Sequence, residues 1–410
     1  MMVLLAIFVS LFFIFSLVSA RIERTIFTAP IVFTIAGMIM SPALPLLQQA
    51  GINATIFLAL AELGLVLLLF TDASQTSLRI LKSTGSLPVR LLSAGMLLTI
   101  GLGMVVALLV FPNLSIWEAG ILAVVLAPTD AGLGEIIIKS ASVPPRVRES
   151  LLVEAGLNDG LAVPFLLFFI AIAAAKIEGA PLALTQFVVE QLGGGALVGL
   201  VIGLGGGWLI SLARSKGWVE KSFQQIAVVA LPLLCLAICA ILDASMFIAA
   251  FVAGLSVQIG LRDVAEQSVE FGGQWGKLAN LSVFFLFGLI VVRDWGQFRP
   301  AFWLYAVLSL TIVRMVPVAL ALVRTGLGSA TKVFIGWFGP RGLASIVLGL
   351  VYLKQELSLP GEPTIRLAVI VTVLVSIFAH GLSATGGSEL YARSVNSLES
   401  TAPELRALGE

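Results

Sequence analysis

The sequence predicts an all-α polytopic membrane protein, and three of its features carry that prediction. Of its 410 residues, 59% are apolar and 11% are charged, whereas soluble domains run at about 45–50% and about 25%. Apolar runs of about 20 residues, the length that crosses a hydrocarbon core of roughly 30 Å, recur from end to end with short polar breaks between them. Two of the runs are broken near their middle by proline, glycine and a single charge, at Ala127-Pro128-Thr129-Asp130-Ala131-Gly132 and at Gly339-Pro340-Arg341-Gly342.

Taken in order, the runs give about thirteen spans. Six lie at 2–20, 26–47, 54–73, 88–111, 116–139 and 150–175, and a long span follows at 185–213. Six more lie at 222–242, 245–260, 275–293, 300–323, 330–353 and 365–386. Met1 to Ala20 ends like a signal peptide at Val18-Ser19-Ala20, but its positive residues, Arg21 and Arg24, come after the apolar run. That order suits a retained helix. With the first loop placed in the cytoplasm, seventeen of the 24 basic residues fall on that side, among them Arg79, Lys82, Arg262 and Arg406. The expected orientation is therefore N-terminus out and C-terminus in. Short loops point to a prokaryotic inner membrane.

One transmembrane domain is expected over 1–387, followed by a short cytoplasmic tail at 388–410 that is either a terminal helix or a disordered end. Spans one to six (about 1–175) and eight to thirteen (about 222–387) stand an odd number of steps apart, with a linker helix at about 185–213 between them. Corresponding helices then cross in opposite directions. Such inverted repeats build a binding site near the midplane on broken helices at corresponding positions, and the two broken runs, spans five and twelve, are such a pair.

The net charge of +1 gives no reason to expect nucleic acid or an acidic partner. Cys235 and Cys239, four apart on an apolar run, read as two small core residues. The glycines at Gly193-Gly194-Gly195 and from Gly203 to Gly207 read as close helix packing, since no phosphate-loop pattern accompanies them.

Ionisable side chains inside a bilayer cost about 2.5–3.5 kcal/mol on insertion scales and are functional candidates by default. Within spans these are Asp130, Glu154, Asp159, Arg314 and Arg341, with Asp72 near the end of span three. Glu62 and Glu135 are further candidates, although Glu135 stands four before Lys139 and suits a helix-face pair. Where span five unwinds, exposed amides create partial positive charge that Asp130 is placed to offset. Arg341 is placed to offset exposed carbonyls in span twelve, or to pair with an acid. The bland reading, that the two only make broken crossings tolerable, is compatible with a binding role. Thr129 adds a hydroxyl and free carbonyls that suit a hard cation.

Glu154 and Asp159 are five apart, about 140° around a helix, and so have different partners. Asp159, near mid-membrane, is able to hold a proton or a dehydrated cation but not both, unless it simply pairs with Arg314 or Arg341. Arg314 needs an acid or carbonyls, with Glu154 and loop carbonyls as candidates. His380, late in its span, reads as a helix-end hydrogen bond rather than a proton relay.

These residues resemble the monovalent cation/proton antiporter family, nearer its electroneutral sodium/proton exchanger branch. The resemblance covers nearly the whole chain. Its Thr-Asp matches Thr129 and Asp130, its Asn-Asp pair matches Asn158 and Asp159, and its Gly-x-Arg-Gly matches Gly339, Arg341 and Gly342. It implies an inverted-repeat antiporter fold with two discontinuous crossing helices, in which Asp159 carries the ion or proton and Asp72 contributes nearby. It implies that Glu154 and Arg341 form a polar network beside the site, with Asn158 helping to hold it and Arg314 in support. Asn158 in place of a second aspartate implies one-for-one exchange. The chain departs from the pattern at Ala155, Ala131 and Asp72, the first and last of which remove or retract oxygen ligands.

The resemblance also implies a homodimer whose core, spans three to six and ten to thirteen, moves against a scaffold. Its partners are then the lipid bilayer, a monovalent cation (sodium first, potassium or lithium next) and a proton, with no cofactor. A cation channel and an intramembrane aspartyl enzyme using Asp130 and Asp159 are the rival readings.

Overall fold

The structure is a computed structural model that describes all residues except 1, 23–24, 42–53, 76–85, 131, 141, 179–188, 261–264, 356, 358, 396–401 and 406–410. Among the described residues it is helical, without strands. Arg24, Arg79, Lys82, Ala131, Arg262 and Arg406 fall outside them, as do 42–47 of span two, 185–188 of the linker span and the Glu135 and Lys139 side chains.

The helices follow the apolar runs closely. They are α1 Met2–Ile22, α2 Ala29–Met40, α3 Ala54–Gln75, α4 Leu87–Val110, α5 Ile116–Val125 and α6 Glu135–Lys139. Then come α7 Pro145–Glu178, α8 Gly195–Ser215, α9 Lys221–Leu242, α10 Met246–Gly260 and α11 Ala265–Asp294. The last are α12 Pro300–Leu310, α13 Ile312–Ala321, α14 Ser329–Trp337, α15 Leu343–Lys354 and α16 Glu362–Val395. Seven helices among the described residues are long and apolar enough to cross a membrane, as an integral multi-pass protein requires.

Both predicted interruptions are present: span five is α5 and α6 around residues 126–134, and span twelve is α14 and α15 around 338–342. A third interruption was not foreseen. The run at 300–323 breaks at Thr311, where φ is −105° and ψ is −87°. It carries no proline at the break itself, so nothing local in the sequence announces it. The closing helix is longer than its apolar core suggests, and α16 continues through Ser388 to Val395 with Tyr391 and Val395 buried.

The chain forms two compact units, whose boundaries fall inside α3, α7 and α11 and between residues 82 and 83. The first comprises Met1–Leu60, Ser83–Ala155 and Leu281–Glu410; the second comprises Ala61–Lys82 and Gly156–Asn280. Span three thus groups with the later part of span six and with spans seven to nine.

The second unit owes its cohesion to glycine. Gly195, Gly199, Gly203 and Gly207 recur every four residues along one face of α8, where an added Cβ would meet backbone or side-chain atoms of Ser245, Ala249, Ala253 and Val257 on or beside α10. Small residues at that spacing let two helix backbones approach without intervening side chains. Cys235 and Cys239 are buried free thiols in α9. In the first unit, Gly37 of α2 and Gly288 of α11 play the same part, each against backbone of the other helix.

Candidate functional site

The site of the first unit is built on its two interrupted helices. At Leu126 the first helix stops, and the chain runs through Pro128 without regular structure. The Asp130 N–H then donates to the Pro340 carbonyl at 2.8 Å, so the two interruptions are joined backbone to backbone. The Asp130 carboxylate completes the junction. Its Oδ1 accepts from the Gly132 and Leu133 N–H groups at 2.7 and 3.3 Å, and its Oδ2 accepts from the Leu343 N–H at 2.7 Å. Leu343 is the first residue of α15. One acid therefore satisfies donors that open the second half of each broken helix, where orphan amides and the helix dipole favour negative charge.

The glycines of the second interruption follow from this closeness. A Cβ at Gly342 would overlap the Asp130 carboxylate, and one at Gly339 would overlap the Arg314 guanidinium. Arg341 between them is fully buried, 0% exposed. Its Nη1 donates to the Gly339 carbonyl at 2.6 Å and its N–H to the Ser376 hydroxyl at 2.6 Å.

Glu154 pairs with Arg314, not with Arg341. The contact is bidentate, 2.6 and 2.9 Å, with both side chains buried. Glu154 was one of the candidate partners of Arg314 in the sequence, and the Arg314 guanidinium also lies against Gly339, two residues before Arg341. A planar guanidinium is the side chain that matches a carboxylate in this two-point way.

His380 also differs from expectation. Because α16 runs on to Val395, His380 is inside the helix, not at its end. Its Nδ1 lies 3.1 Å from the Ser376 hydroxyl and 3.0 Å from the Ser376 carbonyl, and its ring packs on Trp337.

Thr129 and Asp130 line a small cavity of about 10 Å³ together with Ala155, Leu151, Phe338 and Pro340. That is room for roughly one water-sized species. In the second unit, Asn158 is buried and Asp159 half-buried on α7. Gly160 beside them admits the Phe251 ring of α10 so closely that a Cβ would collide with it. One turn further along α10, Gly254 meets the Phe70 carbonyl of α3, and Gln258 donates to the Ala73 carbonyl at 2.8 Å. The helices bearing Asp72 and Asp159 thus both rest on α10, on successive turns of it. Glu62 is half-buried on α3.

Glu118 was missed by the sequence reading although its signal was available. Ser115-x-x-Glu118 is a capping box before an apolar run, and both of its hydrogen bonds are present. Glu118 is also buried, and its Oε1 accepts from the Gly361 N–H at 2.6 Å at the start of α16. Like Asp130, it holds two helix N-termini. Among the described residues no three His, Cys, Asp or Glu side chains cluster as a site for a tightly held metal.

The family described as "Sodium/hydrogen exchanger, transmembrane" matches residues 7–386. The chain belongs to that family. Among exchanger-family relatives, the potassium/proton antiporter NhaP of Alkalimonas amylolytica is 27% identical over 393 residues, which cover 92% of this chain and 64% of that one. The potassium/proton antiporter NhaP2 of Shewanella oneidensis is 27% identical over 67% of this chain and 47% of that one. A sodium/proton antiporter of Schizosaccharomyces pombe is 26% identical over 67% of this chain and 60% of that one. The chain therefore spans less than two-thirds of the length of these relatives. The sodium proton antiporter MjNhaP1 from Methanocaldococcus jannaschii, solved at pH 8, superimposes with a TM-score of 0.75 at 18% identity, over 97% of this exchanger-family chain and 99% of that one. That likeness concerns the fold.

Proposed function

We propose that the protein is a secondary active antiporter that exchanges a monovalent cation for a proton, one for one, by competition of the two at Asp159. The observation that carries this reading is the junction of the two interrupted helices through Asp130. It fixes unwound backbone, a hydroxyl and a cavity of one-ion size beside the opening turns of α7, the helix that goes on to carry Asp159.

In the proposed cycle Asp159 loads a dehydrated cation, with Thr129, Asp72 and Asn158 supplying further oxygens. The loaded site changes its access from one face of the membrane to the other. The cation leaves as a proton takes its place, and the neutral site returns. Alternating access with a site able to carry either species but not both is sufficient for coupling. The Glu154–Arg314 pair and Arg341 keep buried charge balanced during the movement. The named relatives transport potassium in some cases and sodium in others, and sodium is the first candidate here, with potassium and lithium next. The assembly is a homodimer in a prokaryotic inner membrane, N-terminus out and C-terminus in, in accord with the basic residues concentrated on one face.

The test is cation-driven proton movement in liposomes holding purified wild type or Asp159→Asn, with the membrane potential clamped. Sodium, potassium or lithium should collapse a proton gradient through wild type only, and the active ion names the substrate. Currents that follow voltage without obligatory proton coupling would replace the antiporter with a channel.

A further inference from the structure

Residues 402–405 form a turn in which the Leu405 N–H donates to the Ala402 carbonyl at 3.0 Å, and Glu404 within it is only 2% exposed. Its Oε1 accepts from the Gly328 N–H at 2.7 Å and from the Thr331 hydroxyl at 2.9 Å. Gly328 is the N-cap of α14 and has no side chain to offer the first turn. A helix that begins so leaves donors unsatisfied and a partial positive charge exposed. Glu404 supplies from 76 residues away what the N3 glutamate of a capping box supplies, an acceptor for the N-cap N–H.

The contact is reinforced on both sides. Thr331 lies 3.1 Å from the Tyr391 hydroxyl, and the Tyr391 ring stacks on Phe334 of α14 at 4.1 Å. Pro403 covers Gly326, whose φ of +79° favours glycine. The Pro403 carbonyl accepts from Arg146 Nη1 at 2.7 Å, and Arg146 opens α7, the helix that carries Glu154 and Asp159. Two adjacent residues thus hold the starting ends of two helices. α14 runs on to the Phe338–Gly342 interruption, and α7 carries Glu154 of the buried ion pair in about its third turn.

We propose that Glu404 is a positioning residue for exchange, a cap supplied in trans that fixes α14 against α7 so that the Pro340-Arg341 interruption keeps its register with Asp130. The proposal rests on the antiporter reading for its rate effect and on the hydrogen bonds above for its placement. A buried carboxylate is costly unless something there requires it, and at this position what it satisfies is the start of α14.

Wild type, Glu404→Ala and Glu404→Gln are compared in liposomes for exchange rate and in detergent for amide hydrogen exchange. Wild type alone decides the antiporter reading, and the variants are then read as ratios to an active wild type. Glu404→Ala should deprotect amides over 328–334 by about tenfold and lower the maximal rate by about tenfold, while the half-saturating cation concentration stays within about twofold. Glu404→Gln, which keeps an acceptor, should show about threefold in both. If Glu404→Ala fails to assemble, Glu404→Gln decides alone. An unchanged rate in an active background overturns the proposal, whether or not the amides are deprotected, as does a loss confined to cation half-saturation.

Discussion

The two interrupted helices use the same ingredients, proline, glycine and one charge, and resolve them in opposite ways. In the first, Asp130 is fully engaged, with both carboxylate oxygens taken by amides of its own crossing and of the other. In the second, the Arg341 guanidinium holds a single carbonyl, and its Nε and Nη2 have no hydrogen-bond partner among the described residues. The acid is a fastening of the fold. The base, equally buried, retains donors that the fold does not use, and a buried cation with spare donors suits the proposed exchange, in which the charge of the site changes in each cycle. The ion pair between Glu154 and Arg314 stands beside both and belongs with the fastenings.

That contrast can be broken by measurement. Arg314→Ala leaves the Glu154 carboxylate buried without its partner, and thermal or chemical unfolding in detergent should show a loss of about 3–5 kcal/mol. Pairing Arg314→Met with Glu154→Leu should recover most of it, because the remaining charge is then gone as well. Asp130→Ala frees three amides and should cost about 3 kcal/mol, with Asp130→Asn in between; a loss equal to that of an exposed acid would remove Asp130 from the fastenings.

Smaller effects sharpen the same contrast. Gly342→Ala pushes a methyl into a carboxylate tied on both sides and should cost about 2 kcal/mol. Gly339→Ala, facing the far end of the Arg314 side chain, should cost about 1 kcal/mol. Arg341→Met gives up one hydrogen bond and also relieves a buried charge, so its stability loss should be about 1 kcal/mol or less while exchange falls steeply. If Arg341→Met destabilised as much as Asp130→Ala, the two interruptions would be equivalent and the distinction wrong.

Much of this architecture was legible before any coordinates. Span boundaries followed from apolar length alone, since backbone in a bilayer must close its hydrogen bonds within helices. The interruptions at Pro128 and Pro340 were legible for the complementary reason that proline and glycine weaken that closure. The Asp130 role followed from placing an acid where amides open, and the close packing of α8 from its abundance of glycine. Less legible were features that depend on distant partners. The break at Thr311 has no local marker. The helical continuation to Val395 is driven by the burial of Tyr391 and Val395, not by hydropathy.

What the sequence by itself determined is therefore the membrane-spanning plan, the two interruptions, and the short roster of charges able to act within it. All of these arise from local backbone chemistry or from the high cost of an ion in hydrocarbon, and both are readable one segment at a time. What only the tertiary structure decided is pairing: Glu154 with Arg314, Asp130 with the start of α15, Glu118 with Gly361, and Glu404 with the start of α14. Each partner lies scores to hundreds of residues away, and each buried charge had several eligible partners in the sequence. Packing selects among them, because a bidentate or capping geometry is satisfied only by the group that the surrounding helices bring within hydrogen-bonding distance.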